Sequence, residues 1–143
     1  MLNIGVIGCG AIGRDHIRRL HDLVSGCQVV ACADYFEEAA RKTAAQYEGL
    51  KAYATGEELI AAPEVQAVVI TSSDPSHAGY VLEALRHSKF VFCEKPLAQS
   101  AADCEKIIRA ETALGKRLVQ VGFMRRYDRG YAEMKRIDRK SVV

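Results

Sequence analysis

Leu2-Asn3-Ile4-Gly5-Val6-Ile7-Gly8-Cys9-Gly10-Ala11-Ile12-Gly13 opens the chain, and its reading decides the fold. Residues 2–7 form a short, largely apolar run, the mark of a buried strand. The run breaks into GxGxxG. Beyond the third glycine, Ile17, Leu20 and Val24 share one helical face. A glycine triplet between a strand and a helix is the context in which this motif carries meaning. Gly8 permits a tight turn and Gly10 lets a pyrophosphate approach the backbone. Ala11 and Ile12 open the helix whose N-terminus would receive that charge. Gly13 lets helix and strand pack closely.

Outward from that turn, the same alternation continues. Strands are predicted at Leu2–Ile7, Gln28–Ala33, Leu50–Tyr53, Ala67–Thr71, Phe90–Cys93 and Arg117–Val121. They are nearly continuously apolar, as parallel strands covered on both faces should be. Between them, Phe36, Ala39, Ala40, Thr43, Ala44 and Tyr47 recur with helical spacing. Ala78, Val81, Leu82 and Leu85 do the same, and Cys104, Ile107, Ile108 and Leu114 more loosely. Thr55 with Glu58, and Ser100 with Asp103, have capping-box spacing and mark helix starts. Alternating strands and helices imply βαβ units and an α/β fold, a Rossmann-type doubly wound parallel sheet.

The second strand ends in Asp34, 21 residues after Gly13. A carboxylate at that distance is placed to accept hydrogen bonds from the ribose hydroxyls of an adenine dinucleotide. It would repel a 2′-phosphate, and the following Tyr35-Phe36-Glu37-Glu38 offers no cation. NAD is therefore expected rather than NADP. In doubly wound sheets ligands bind beyond the carboxyl ends of the strands. Three more of those ends carry polar residues: Thr71-Ser72-Ser73-Asp74-Pro75-Ser76-His77, Glu94-Lys95-Pro96, and Gly122-Phe123-Met124-Arg125-Arg126-Tyr127-Asp128. Each has a plainer reading, as a capping turn or a solvated charge, but the topology gathers all of them on one rim with the glycine turn.

Composition narrows the alternatives. The 143 residues, 49% hydrophobic and 27% charged, suit one globular domain. A net charge of +2 gives no argument for nucleic acid or a membrane surface. Basic residues from Arg125 to Lys140 are interleaved with carboxylates, as on a solvated helix face. The five cysteines form no CxxC pair and no metal-binding spacing, so free thiols in a reducing, cytoplasmic setting are expected and no metal. No leader peptide and no membrane-length apolar run is seen. His16, His21 and His87 fall on predicted helices with surface or packing roles.

GVIGCGAIG, Asp34, the SSDPSH segment and CEKP together resemble the Gfo/Idh/MocA oxidoreductases, over about residues 1 to 137. The family's usual fourth-strand motif is closer to TPNxxH, so this chain keeps His77 and changes its approach. QVGFMRRYDRGY, residues 120–131, resembles the inositol 2-dehydrogenase branch. The resemblance implies hydride transfer between NAD and a secondary alcohol of a cyclitol or sugar. It makes Lys95 the catalytic residue, partly buried beside the nicotinamide, with Glu94 orienting it or the cofactor and Pro96 fixing the chain's exit. Tyr35, Ser72, Ser73 and His77 become cofactor neighbours, and Arg125 lies near the nicotinamide or the substrate.

Full-length members continue into a second, C-terminal domain that supports homo-oligomers and brings an Asp and a His, the His as general base. Neither is carried over to these 143 residues. The expected organisation is a dinucleotide-binding domain at 1–122, the start of a connection at 123–137, and a non-native tail at 138–143, DRKSVV. Such a truncated half is expected to bind cofactor and to be inactive alone. Another sugar dehydrogenase of the same family, or a non-catalytic NAD-binding regulatory module, is the alternative.

Overall fold

The computed structural model describes residues 1–141. Six strands alternate with helices: β1 (Leu2–Ile7), α1 (Ala11–Asp22), β2 (Cys27–Ala33), α2 (Glu37–Ala44), β3 (Lys51–Tyr53), α3 (Gly56–Ala61), β4 (Ala67–Ile70), α4 (Asp74–Arg86), β5 (Phe90–Glu94), α5 (Ala101–Ala113), β6 (Val119–Gly122) and α6 (Arg129–Ser141). A single 3-10 turn, Met124–Arg126, follows β6. All strand pairs are parallel, in the order β3-β2-β1-β4-β5-β6. This is the doubly wound sheet expected from the opening stretch. The strand order reverses between β1 and β4, so a crevice opens where those two neighbours diverge.

Because successive strand residues face opposite sides, a strand covered twice must be apolar throughout. Val68 and Ile70 of β4 pack with Leu59, Val81, Leu85 and Ile107 of α3, α4 and α5. Ala67 and Val69 face the other way, beneath Ile17 of α1 and Ala40 of α2. β5 departs from this rule. Val91 and Cys93 join the first layer, but Phe90, on the α1 side, is 54% exposed. An apolar groove of about 630 Å³ runs along that side, lined by Leu2, Phe90, Phe92 and Leu118 among others. The expectation of two covered faces thus holds at β1 and β4 and fails at β5.

Other boundaries moved for local reasons. β4 stops one residue short because Thr71 turns its hydroxyl onto the carbonyls of Ile7 and Gly8, at 3.1 and 2.8 Å. β6 begins at Val119 rather than Arg117, with Glu111 Oε1 accepting from the amides of Leu118 and Val119 at 2.7 Å each. α1 ends at Asp22, leaving Val24 exposed, and Ile108 faces solvent although its spacing suggested packing. Phe36 caps α2 rather than lying in it, and Tyr47 falls beyond its end. The caps at Thr55 and Ser100 form as expected: each hydroxyl accepts from the amide three residues on, at 3.1 Å.

Cys9, Cys32 and Cys93 are buried and Cys27 and Cys104 half-buried, all as free thiols. Helix α6 runs through Asp138 into the segment expected as a tail, and Val142 and Val143 lie outside the described residues. Among the described residues no helix is long and apolar enough to cross a membrane.

Candidate functional site

The site is built at the carboxyl ends of β1, β2, β4 and β5. Gly8 takes φ +102°, a conformation an L side chain rarely adopts, and a Cβ there would lie 2.6 Å from the Ser72 amide nitrogen. Its own amide donates to the Ala33 carbonyl at 2.8 Å, tying the turn to β2. A Cβ on Gly13 would sit 1.7 Å from the Gly8 carbonyl oxygen, so α1 approaches the turn as closely as a backbone can. A Cβ on Gly10 would meet nothing within 4 Å. The space above Gly10 is open, at the start of a helix with no side-chain cap and no acid in its first turn. α3 and α5 spend a hydroxyl on their first-turn amides; α1 leaves its own for an anion.

Asp34 stands just past β2. Its carboxylate accepts from the Cys9 amide at 2.6 Å and from the Phe36 amide at 2.9 Å. The acid is therefore locked against the glycine turn, with further lone pairs left for a diol. Tyr35, 93% exposed, and Phe36 form an edge-on pair at 5.2 Å on the same rim. The nearby cations are already used: Arg41 pairs with Glu37 at 2.5 Å and Lys42 with Glu38 at 3.7 Å along α2. Neither α2 cation is left unpaired for a 2′-phosphate.

These residues line a groove of about 550 Å³ containing Gly8, Gly10, Asp34, Tyr35, Ser72 and Ser73. A second groove of about 420 Å³ holds Ile12, His16, His77, Glu94 and Lys95. Thr71 and Ser72 line both, so the two adjoin at the β1–β4 reversal point. The result is an elongated cleft with an acid at one end, uncapped helix amides at its middle and an ammonium at the other end. The order of these groups suits an adenine dinucleotide, and the open cradle over Gly10 fits its pyrophosphate.

His77 is the most buried polar side chain here, 1% exposed. Its Nδ1 lies 2.7 Å from the Pro96 carbonyl oxygen and its Nε2 3.0 Å from that of Ser72. The ring therefore braces the loop after β4 against the loop after β5. Pro96, preceded by a cis peptide bond, enters the site through this carbonyl. Ser72 and Ser76 share a hydrogen bond of 2.7 Å, while Ser73 caps α4 without using its side chain. Lys95 is the first residue past β5, exposed on the rim and without a side-chain partner among the described residues. The partial burial expected of it is not found, because Lys95 lies just beyond the strand end and nothing closes over the rim among the described residues. Its neighbour Cys93 is protonated, pushed up to about 12 by burial and then by the Glu94 charge.

One expected residue is not brought to the cleft. Arg125, in the 3-10 turn, sits 3.5 Å from Asp128 and 4.8 Å over the Tyr131 ring, lining a separate groove. Met124 reaches the cleft in its place. Conversely, sequence reasoning missed Arg14, whose Nη1 donates to the Cys9 carbonyl at 2.8 Å, along with Thr71, Tyr80 and His16. Thr71 was readable, as the hydroxyl ending an apolar strand at the reversal point. His16 was not, since its partner lies 78 residues away. His21 and His87 stay peripheral, paired with Asp22 and Glu83. Among the described residues no His, Cys, Asp and Glu cluster fits a metal ion.

Comparison with known proteins agrees with this geometry. Residues 2–123 match the Gfo/Idh/MocA pattern, described as an oxidoreductase family with an NAD-binding Rossmann fold. Inositol 2-dehydrogenase of Burkholderia cenocepacia (strain HI2424) is 56% identical over 138 residues, covering 95% of this chain and 41% of its own. That of Ralstonia nicotianae (strain ATCC BAA-1114 / GMI1000) is 55% identical over the same length. The chain thus spans about 41% of the length of the curated relatives it matches. Among solved structures, myo-inositol dehydrogenase from Lactobacillus casei, in complex with NAD(H) and myo-inositol, superposes with a TM-score of 0.92. It is 38% identical, over 100% of this chain and 42% of that one.

Proposed function

The chain belongs to the Gfo/Idh/MocA oxidoreductase family with its NAD-binding Rossmann fold, and from that premise we propose that it is the cofactor-binding half of an NAD-dependent cyclitol dehydrogenase of the inositol 2-dehydrogenase kind. The observation that carries the proposal is the continuous cleft from Asp34 to Lys95 through Thr71 and Ser72. Asp34 would hold the adenosine ribose, with Tyr35 on its rim. Gly8, Gly10, Ala11, Ile12 and Gly13 would seat the pyrophosphate, and Ser72, Ser73, His77 and Pro96 would wall the passage to Glu94 and Lys95. NAD, when bound, supplies the acceptor for a hydride leaving the carbinol carbon.

The chain's own part in that chemistry falls to Lys95. A free ammonium at the cleft's end donates a hydrogen bond to the reacting oxygen and stabilises alkoxide character as the hydroxyl proton departs. A module that only sensed nucleotide would have no use for it. Among the described residues Lys95 has no relay to pass the proton on, so these 143 residues by themselves are proposed to bind cofactor and turn over poorly. Substrate contacts, Arg125's part and homo-oligomer assembly belong to a chain of the relatives' full length.

Calorimetric titration of NAD+ and NADH into the folded chain tests the cofactor half; absence of binding to either overturns it. For the chemistry, NADH formation from myo-inositol is followed with this chain and with one extended to the relatives' length. Lys95→Ala in the longer chain should abolish turnover and spare NAD affinity; near-normal turnover refutes the role.

A further inference from the structure

His16 lies at the Lys95 end of the cleft, where neither spacing nor the family reading assigned it a part, and its surroundings are specific. Its Nε2 lies 3.0 Å from Glu94 Oε1, with the two side chains only 26% and 19% exposed. Its ring packs edge-on against Phe92 at 5.4 Å. Phe92 and Glu94 point to the same side of β5, towards α1, and a glycine across the sheet makes room for both. A Cβ on Gly122 would come within 2.9 Å of the Phe92 ring and 3.3 Å of the Glu94 carboxyl carbon. The carboxylate is thus held in a slot between α1 and β6, on the groove that Lys95 also lines.

The charges facing this end of the cleft are Asp15, Arg19 and His16 from α1, Asp74 and His77 from α4, Glu94 from β5 and Lys95 just past it. Asp15 is engaged by Arg18 and Arg19 at 3.0 and 2.8 Å. His77 is engaged with backbone carbonyls. Among the described residues the Asp74 carboxylate and the Lys95 ammonium remain without a side-chain partner, and an ammonium repels a cationic ring brought next to it. The nicotinamide of NAD+ is such a ring; that of NADH is neutral.

We propose that His16 is a positioning residue that holds the Glu94 carboxylate at the nicotinamide end, where its charge offsets that of Lys95 and favours oxidised over reduced cofactor. The inference rests on the reading of the cleft as a dinucleotide site and deepens it. It also joins the two ends of that site: α1 carries the open pyrophosphate cradle at its N-terminus and, within its next turns, the imidazole that restrains the lysine-bearing strand end.

The test is the ratio of NAD+ to NADH affinity, by calorimetry on this chain. Loss of general packing weakens both forms alike, whereas loss of one charge weakens only the cationic one. Glu94→Gln should lower the ratio by about tenfold, the order expected for one charge pair in a half-buried cleft. His16→Leu should lower it several-fold with NADH affinity nearly unchanged, and His16→Gln, which keeps a donor, should restore it. The double variant His16→Leu/Glu94→Gln should be no worse than Glu94→Gln alone, because the two act as one unit. If His16→Leu fails to fold, His16→Asn, whose shorter amide does not reach Glu94, replaces it with the same expected loss. A wild-type ratio in His16→Leu or His16→Asn, or equal weakening of both forms, overturns the inference while leaving the cofactor site intact. Failure of the unaltered chain to bind either form removes the site and the inference together.

Discussion

Two of the three loop glycines should respond to alanine in opposite ways. At Gly13 the new Cβ would start 1.7 Å from the Gly8 carbonyl oxygen and 2.7 Å from Thr71 Oγ1. Backbone, not a flexible side-chain end, is the first obstacle, so α1 must retreat by more than an ångström from the turn it packs on. Overpacking of this kind costs about 1–3 kcal/mol and sometimes more. The retreat also strains the Thr71 hydroxyl bonds to Ile7 and Gly8, so a total of about 3 kcal/mol is reasonable. For a chain of this size that is a drop in Tm of roughly 10 °C. At Gly10 the Cβ meets nothing within 4 Å, and φ is an ordinary −67°. Gly10→Ala should cost at most about 1 kcal/mol, as a weaker N-cap. It should nonetheless lower NAD affinity by about tenfold or more, because the methyl occupies the cradle over uncapped amides. Thermal melts and NAD titrations of both variants separate the effects. A Gly10→Ala chain that melts and binds like the parent would refute the cradle. A Gly13→Ala chain of parental Tm would refute the packing argument.

Three further outcomes follow from the same geometry. Asp34→Asn should shift preference away from NAD towards NADP, since the repelling charge goes while the one amide oxygen can still accept from one of the two loop amides; a parental ratio of the two affinities would count against the ribose role. Hydrogen bonds from Arg86, Tyr53 and Arg136 hold Glu83, Glu64 and Glu133 below their ordinary 4.5, and Arg18 and Lys106 hold Asp15 and Asp103 below 3.8. Groups depressed on folding stabilise above their unfolded values and lose that contribution as pH falls through the folded ones. Tm should therefore be flat from neutrality down to about pH 5 and decline below about 4.5, modestly and less in high salt, because these pairs are exposed. A steep loss above pH 5 would show another group in control. Finally, alkylation at mildly alkaline pH should reach Cys27 and Cys104 first. Cys32, forced up by its contact with Cys9 and by burial, and Cys93 should react only on unfolding. Mass mapping of the modified thiols decides this.

What the order of residues determined was everything written in short spacings. A GxGxxG between a strand and a helix, an acid 21 residues on, and strands apolar on both faces are local patterns, and local patterns follow from backbone sterics and burial. The doubly wound parallel sheet and most of one cleft followed from them, while the strand order that sets the reversal point between β1 and β4 was seen only in the structure. Tertiary structure alone decided what depends on distant parts of the chain meeting. His16 finds Glu94 across 78 positions, and Asp34 clamps the Cys9 amide across 25. His77 bridges two loops, Lys95 stays exposed where burial was expected, and Arg125 turns to its own groove. The physical reason is that a side chain's partner is chosen by where strand ends come to rest in three dimensions, and periodicity along the chain carries no record of that.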